Sequence, residues 1–238
     1  MISRRALLSQ ASLFLAASVL PAEAAKPRRP KPPNGQVYLF RGFANIFSTG
    51  LNTLGQQLKT DGVNAQVMSL PNAQTFARRI AERYRASKDA RPIILVGHSL
   101  GADMTFSVAR ALQPMKIPVA LILSFDPTGK GPVPANVKKT LNFYTGGENL
   151  WSPVLPAPGF KGELANINLR QGETAISGIG HFNIDKNPKL HERSIKEIKQ
   201  ALASSLRRSE YAGNQPLRAG AIGVVFGAEG IPHHCLLP

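Results

Sequence analysis

Two rhythms of apolar and polar positions alternate along this chain. Short strand-like runs recur at Val37-Tyr38-Leu39-Phe40, Val63 to Leu70, Ile93-Ile94-Leu95-Val96, Pro118 to Phe125 and Lys139 to Thr145, with a shorter alternating one at Leu164 to Leu169. Runs of four to eight residues that are mostly apolar are the pattern of strands covered on both faces. Between them lie longer stretches in which apolar residues fall three and four apart. Gly50 to Thr60 carries Leu51, Leu54 and Leu58 at helical spacing and meets a stop at Asp61-Gly62. Asn72 to Lys88 places Phe76, Ile80 and Tyr84 on one face, with Arg78, Arg79, Arg83 and Arg85 around the rest. Further helices are predicted from Ala102 to about Leu112 and from about Pro188 to Leu206, the last with Ile195, Ile198, Ala201 and Leu202 inward. Strands alternating with helices predict an α/β domain: a mostly parallel sheet of about six strands, helices on both faces, and ligands bound beyond the carboxyl ends of the strands.

The two ends break this rhythm. Arg4 and Arg5 precede an uncharged, mostly apolar stretch from Ala6 to Leu20, and Ala22-Glu23-Ala24 follows. This is the order of a signal peptide, with a core too short for a comfortable membrane span. Ser3-Arg4-Arg5-Ala6-Leu7-Leu8 also resembles a twin-arginine signal, so both export routes stay open. The expected organisation is a signal peptide at 1–24, a proline-rich basic linker at 25–35, the α/β domain at 36–208 and an irregular glycine-rich tail at 209–238. The mature protein is expected in the periplasm or outside the cell, without a transmembrane segment.

Charge changes the picture less than the leader does. Lys and Arg number 29 against 14 Asp and Glu, a formal net charge of +15. The few aromatics are not interleaved with the basic residues and no nucleic-acid motif is present, so nucleic acid is not an expected partner. Weak association with an anionic envelope surface is the expected further contact, beside the simpler reading of a solvated basic surface. Cys235 is the single cysteine, which excludes an internal disulfide and leaves a free thiol or an intermolecular pair. His233, His234 and Cys235 are adjacent but lack a fourth ligand at metal-site spacing, so neither a metal nor a cofactor is expected.

The candidate chemistry sits at the middle strand. Gly97-His98-Ser99-Leu100-Gly101 lies between the run Ile93–Val96 and a helix, the strand–turn–helix context in which G-x-S-x-G lifts a serine above the sheet. A serine hydroxyl is a weak nucleophile until a base takes its proton, and the base needs an orienting carboxylate. Downstream, Asp126 ends the strand in Ser124-Phe125-Asp126-Pro127, and His181 lies in the loop Gly178-Ile179-Gly180-His181-Phe182. Glu148, after two glycines at the end of the next strand, is the alternative acid. His191, at a helix start, reads as a surface residue, and His98 as pointing away from its neighbour's hydroxyl. The N–H of Leu100 is the first candidate donor to a developing oxyanion, and that of Phe43, after the turn glycine Gly42, the second.

These residues carry a resemblance. From about Gln36 to Leu206 the chain resembles the small α/β-hydrolases of the serine esterase, lipase and thioesterase group. The elbow matches that of many lipases and thioesterases. Ser124-Phe125-Asp126-Pro127 is similar to the acid segment of those members that place their aspartate after the sixth strand of the fold. Arg41-Gly42 departs from the His-Gly that many relatives carry at the oxyanion turn. The resemblance implies a serine hydrolase that cleaves carboxylic esters or thioesters of small-molecule or lipid type through an acyl-enzyme on Ser99. A non-catalytic envelope-binding protein with the same fold is the alternative. Only Thr128 to Asn136 separate the acid strand from the next, so no large lid domain is expected. The insertion from Gly146 to Gly162 supplies Trp151, Leu155 and Phe160 as candidates for the lip of the site, and the open site is expected to take short or medium acyl groups.

Overall fold

The structure, a computed structural model, describes residues 34–43, 48–129, 131–146 and 150–213, with side chains of the last helix described as far as 204. The expected signal peptide, all but the end of the linker, most of the glycine-rich tail, Glu148 and the His233-His234-Cys235 run lie outside the described residues. Six parallel strands form one sheet: β1 (Gln36–Phe40), β2 (Ala65–Met68), β3 (Ile93–His98), β4 (Leu121–Phe125), β5 (Lys139–Tyr144) and β6 (Glu163–Asn168), ordered β2-β1-β3-β4-β5-β6. The helices are α1 (Gly50–Thr60), α2 (Ala73–Ala86), α3 (Leu100–Leu112) and α4 (Pro188–Gly213). This is the expected α/β-hydrolase-like architecture, and no segment among the described residues forms a lid domain.

Alternation along the strands sorts the core into two layers. Val37, Leu39, Ile94, Val96, Leu141 and Phe143 face α1 and α4, meeting Leu51, Leu54, Leu58, Leu190, Ile198 and Leu202. Tyr38, Phe40, Leu95 and Ile122 face α2 and α3, meeting Ala77, Ile80, Phe106 and Leu112. Each such Val, Leu, Ile or Phe side chain withdrawn from water stabilises the fold by about 1.5–3 kcal/mol. Asn72 caps α2 by accepting from the N–H of Thr75 at 3.0 Å, so that helix starts where its capping residue predicts. α4 runs to Gly213, past the expected boundary at 208, because no Gly or Pro interrupts it between Pro188 and Gly213.

Beyond β4 the α2/α3 layer runs out of helix. The chain from β4 to β5 and from β5 to β6 crosses that face as irregular segments, joined where Val133 N–H donates to the Leu155 carbonyl at 2.8 Å. A polar row holds them to the sheet. Ser124 Oγ donates to Asn142 Oδ1 at 2.8 Å, and Asn142 Nδ2 donates to Asn166 Oδ1 at 2.9 Å and to the Ser152 carbonyl at 3.2 Å. Asn166 in turn accepts from Val154 N–H and donates to the Val154 carbonyl. These three residues are register partners on adjacent strands. The amides thus satisfy loop backbone that would otherwise be buried without partners.

Candidate active site

Ser99 sits between β3 and α3 at φ 59° and ψ −129°, a conformation that costs a non-glycine residue on the order of 1–3 kcal/mol. The flanking glycines permit it. A Cβ on Gly97 would collide with the carbonyl of Gly101, and one on Gly101 with the carbonyl of Phe40. The serine N–H donates to the Phe125 carbonyl at 2.9 Å, which fixes the turn against β4. Leu100 opens α3, so its N–H has no acceptor within the helix and lies at the positive end of the helix dipole.

The structure brings three sequence candidates into one line. Ser99 Oγ lies 3.1 Å from His181 Nε2, and His181 Nδ1 lies 3.4 Å from Asp126 Oδ2, at the outer limit of a hydrogen bond. The Asp126 carboxylate is fully buried. Thr145, just after β5, donates to it twice, N–H to Oδ1 at 2.7 Å and Oγ–H to Oδ2 at 2.6 Å. A buried carboxylate needs such donors, and nothing in the sequence around Thr145 marks it as one. The loop that carries His181 is braced from within: Asn183 accepts from Gly180 N–H and donates to the Gly178 carbonyl. Asp185 anchors the loop to α1 by accepting from Gly50 N–H at 2.8 Å.

Of the lip candidates, only Trp151 reaches this line. Its ring stacks on the imidazole of His181, centroids 4.2 Å apart and planes 10° from parallel. Ser99, Asp126 and Trp151 are three of the four non-glycine residues with positive φ among the described residues. The backbone is therefore strained at the site on three separate elements. Leu155 is exposed but pairs with the crossing segment around Gly131 and Val133, not with the site. Phe160 packs against the α2/α3 core beside Gly162, at the amino end of β6 and so at the opposite edge of the sheet. Both were expected at the lip, and both are displaced because the insertion crosses the sheet face to start β6.

Two other histidines are placed by burial. His191 is 4% exposed, not a surface residue, because it lies on the inner side of α4, where its Nε2–H donates to the Asp185 carbonyl at 2.6 Å. His98 points away from Ser99, as its position in the elbow predicts. Its Nδ1 lies 2.8 Å from Ser48 Oγ and its Nε2 lies 2.8 Å from the His181 carbonyl. On the oxyanion side, a Cβ on Gly42 would lie 3.1 Å from Cβ of Ser99, so the turn that precedes Phe43 runs against the elbow. Phe43 itself is 72% exposed, and Leu100 is also exposed. Among the described residues no cluster of His, Cys, Asp or Glu could hold a metal ion, and no helix is long and apolar enough to cross a membrane.

Residues 32–137, from the first strand through the elbow to the segment before β5, match the family model described as Thioesterase domain. The match covers less than half of the chain and, with the fold and elbow above, supports a thioesterase-like α/β-hydrolase that acts on esters or thioesters. Solved structures of similar shape include the RedJ thioesterase of the prodiginine biosynthetic pathway in Streptomyces coelicolor, 12% identical over 82% of this chain and 97% of that one, with a TM-score of 0.41. The NocB thioesterase domain, seen in a covalent complex with a fluorophosphonate nocardicin G analogue, is 15% identical over 73% of this chain and 96% of that one, with a TM-score of 0.44. Both scores lie below 0.5, and the fold stands on its own sheet order and elbow. No curated protein matches the chain.

Proposed function

We propose that this protein cleaves esters or thioesters through an acyl-enzyme on Ser99. The observation that carries the reading is the continuous line from Ser99 Oγ through His181 to Asp126, with the serine held on a strained elbow. Asp126 can only accept, so His181 carries its proton on Nδ1 and offers the Nε2 lone pair to the serine hydroxyl. Oγ attacks the carbonyl carbon while its proton passes to Nε2. The oxyanion of the tetrahedral adduct takes hydrogen bonds from the N–H of Leu100 and that of Phe43. The adduct collapses as the bond to the leaving alcohol or thiol breaks, and His181 returns the proton to that group. Water then repeats the sequence on the acyl-enzyme, releasing the acid and restoring Ser99.

The site is open and takes short or medium acyl groups, with Trp151 shielding one side of His181. Residues 1–24 act as an export signal, the mature protein works in the periplasm or outside the cell, and its basic surface associates weakly with anionic envelope material. A series of p-nitrophenyl esters and the matching acyl thioesters tests the chemistry. Turnover by the wild type that falls off with long chains and vanishes in Ser99→Ala is the expected result. Activity that appears only on long chains at an oil interface contradicts the open site. No turnover of any donor by a folded wild type favours a binding protein with a hydrolase fold.

A further inference from the structure

The structure leaves one buried titratable group in the elbow without a part in this chemistry. His98 is 1% exposed and makes two hydrogen bonds, to loops on opposite sides of Ser99. The His181 carbonyl only accepts, so His98 Nε2 must carry the proton, and Nδ1 must be the acceptor for the Ser48 hydroxyl. Ser48 Oγ accepts in turn from the Gly42 N–H at 2.8 Å. One chain of bonds therefore runs from the turn that carries Phe43, through Ser48 and His98, to the backbone of the base. Each donor and acceptor along it is used once. Burial first, and the neighbouring His181 second, lower the pKa of His98 to about 4, so the neutral form the chain requires persists at neutral pH.

Building on the reading of Ser99 and His181 given above, we infer that His98 is a positioning residue, tying the oxyanion turn and the base loop to the elbow. It touches neither the reacting atoms nor the proton in flight. It acts by fixing where the His181 ring and the Phe43 N–H stand relative to Ser99 Oγ. Displacements of about 1 Å at such positions cost on the order of a hundredfold in rate.

The two bonds can be separated by substitution in the full chain. Gln places an amide near the Nε2 position and keeps the donor to the His181 carbonyl, Asn places a carbonyl near Nδ1 and keeps the acceptor for Ser48, and Phe keeps neither. The readouts are kcat and KM on a p-nitrophenyl ester, the rate of labelling by a fluorophosphonate, and thermal melting to establish folding. H98F is expected to lose between about tenfold and a hundredfold in kcat and in labelling rate, with KM changed less than about threefold. H98Q and H98N each recover part of the loss. In the wild type, two-bond 1H–15N spectra are expected to show the Nε2–H tautomer of His98 across pH 6–8. A folded H98F with wild-type kcat, or an Nδ1–H tautomer, overturns this inference and leaves the reading of Ser99 intact. Equal loss in H98F, H98Q and H98N overturns it too, since it points to packing alone. A folded wild type that neither turns over nor labels overturns the reading of Ser99, and this inference with it.

Discussion

From β2 to β4 the sheet is covered by helices on both faces, whereas from β4 to β6 the α2/α3 face is covered by irregular chain pinned to a row of polar side chains. The helical half gives Ser99, set by the backbone of the elbow, and the turn at Gly42, held by Ser48 and His98. The other half gives Asp126, Trp151 and His181, whose positions depend on side-chain hydrogen bonds from Thr145, Asn142 and Asn183. The proposed nucleophile thus rests on packing, and its proposed base and acid rest on polar networks. Damage to the apolar core of the helical half should lower stability and spare the rate per folded molecule. Damage to the other half should reach the rate as well.

The largest break is expected at the junction. Asp126→Asn keeps the shape but offers an N–H to His181 and to Thr145, both of which already donate, so the imidazole loses its required tautomer. The expected loss is about 10³–10⁴-fold in kcat for p-nitrophenyl ester turnover, with melting temperature shifted far less than the rate. The next pair sets the halves against each other. Leu95→Ala, in the helical half, should cost about 2–5 kcal/mol in chemical denaturation and leave kcat of the folded fraction unchanged. Asn142→Leu strands the Ser124 hydroxyl and the Ser152 carbonyl, should cost on the order of 2–4 kcal/mol, and should also depress kcat, because the same loop carries Trp151. Equal kcat in the two variants contradicts the division.

Asp185 links the halves, and its effect is on stability. It is fully buried, its Oδ1 has no partner among the described residues, and burial raises its pKa from 3.8 to about 6. Between those values the folded state binds more protons than the unfolded one, so stability falls as pH rises through about 4 to 6. Asp185→Asn removes that ionisation, and its melting temperature relative to wild type should be higher at pH 8 than at pH 5, a difference worth at most about 3 kcal/mol. A pH-independent difference contradicts the assignment. His98 acts in the opposite sense. Its pKa falls from 6.5 to about 4, so the unfolded state binds more protons in that window and acidification below about 6.5 weakens the fold. The smallest effect is expected from Trp151→Ala. Losing the ring on His181 should lower kcat by less than about tenfold, the scale of one aromatic contact of 0.5–1.5 kcal/mol.

The halves also differ in how far the sequence reveals them. α1 falls at Gly50 to Thr60 as the spacing of Leu51, Leu54 and Leu58 predicts, and the elbow is legible because Gly97, Gly101 and the strand before them are consecutive in the chain. Such signals are local. What orders Asp126 comes from Thr145 across a strand register, and what holds the Trp151 loop is Asn142 beside Asn166. No periodicity marks either, because partners on parallel strands are separated by a whole crossover. Leu155 and Phe160 read as a lip from their apolarity alone, which does not reveal that the insertion must return to the amino end of β6. His98 and Ser48 are legible as residues but not as partners, since they meet only when the oxyanion turn folds against the elbow.

Intact-mass analysis after reaction with a fluorophosphonate is the sharpest check on Ser99 as the proposed nucleophile activated by His181. The expected result is one adduct per wild-type chain, mapped to the peptide that contains Ser99, no adduct in folded Ser99→Ala, and labelling slowed at least about a hundredfold in His181→Ala. A folded wild type left unmodified, or an adduct that persists in Ser99→Ala, contradicts it.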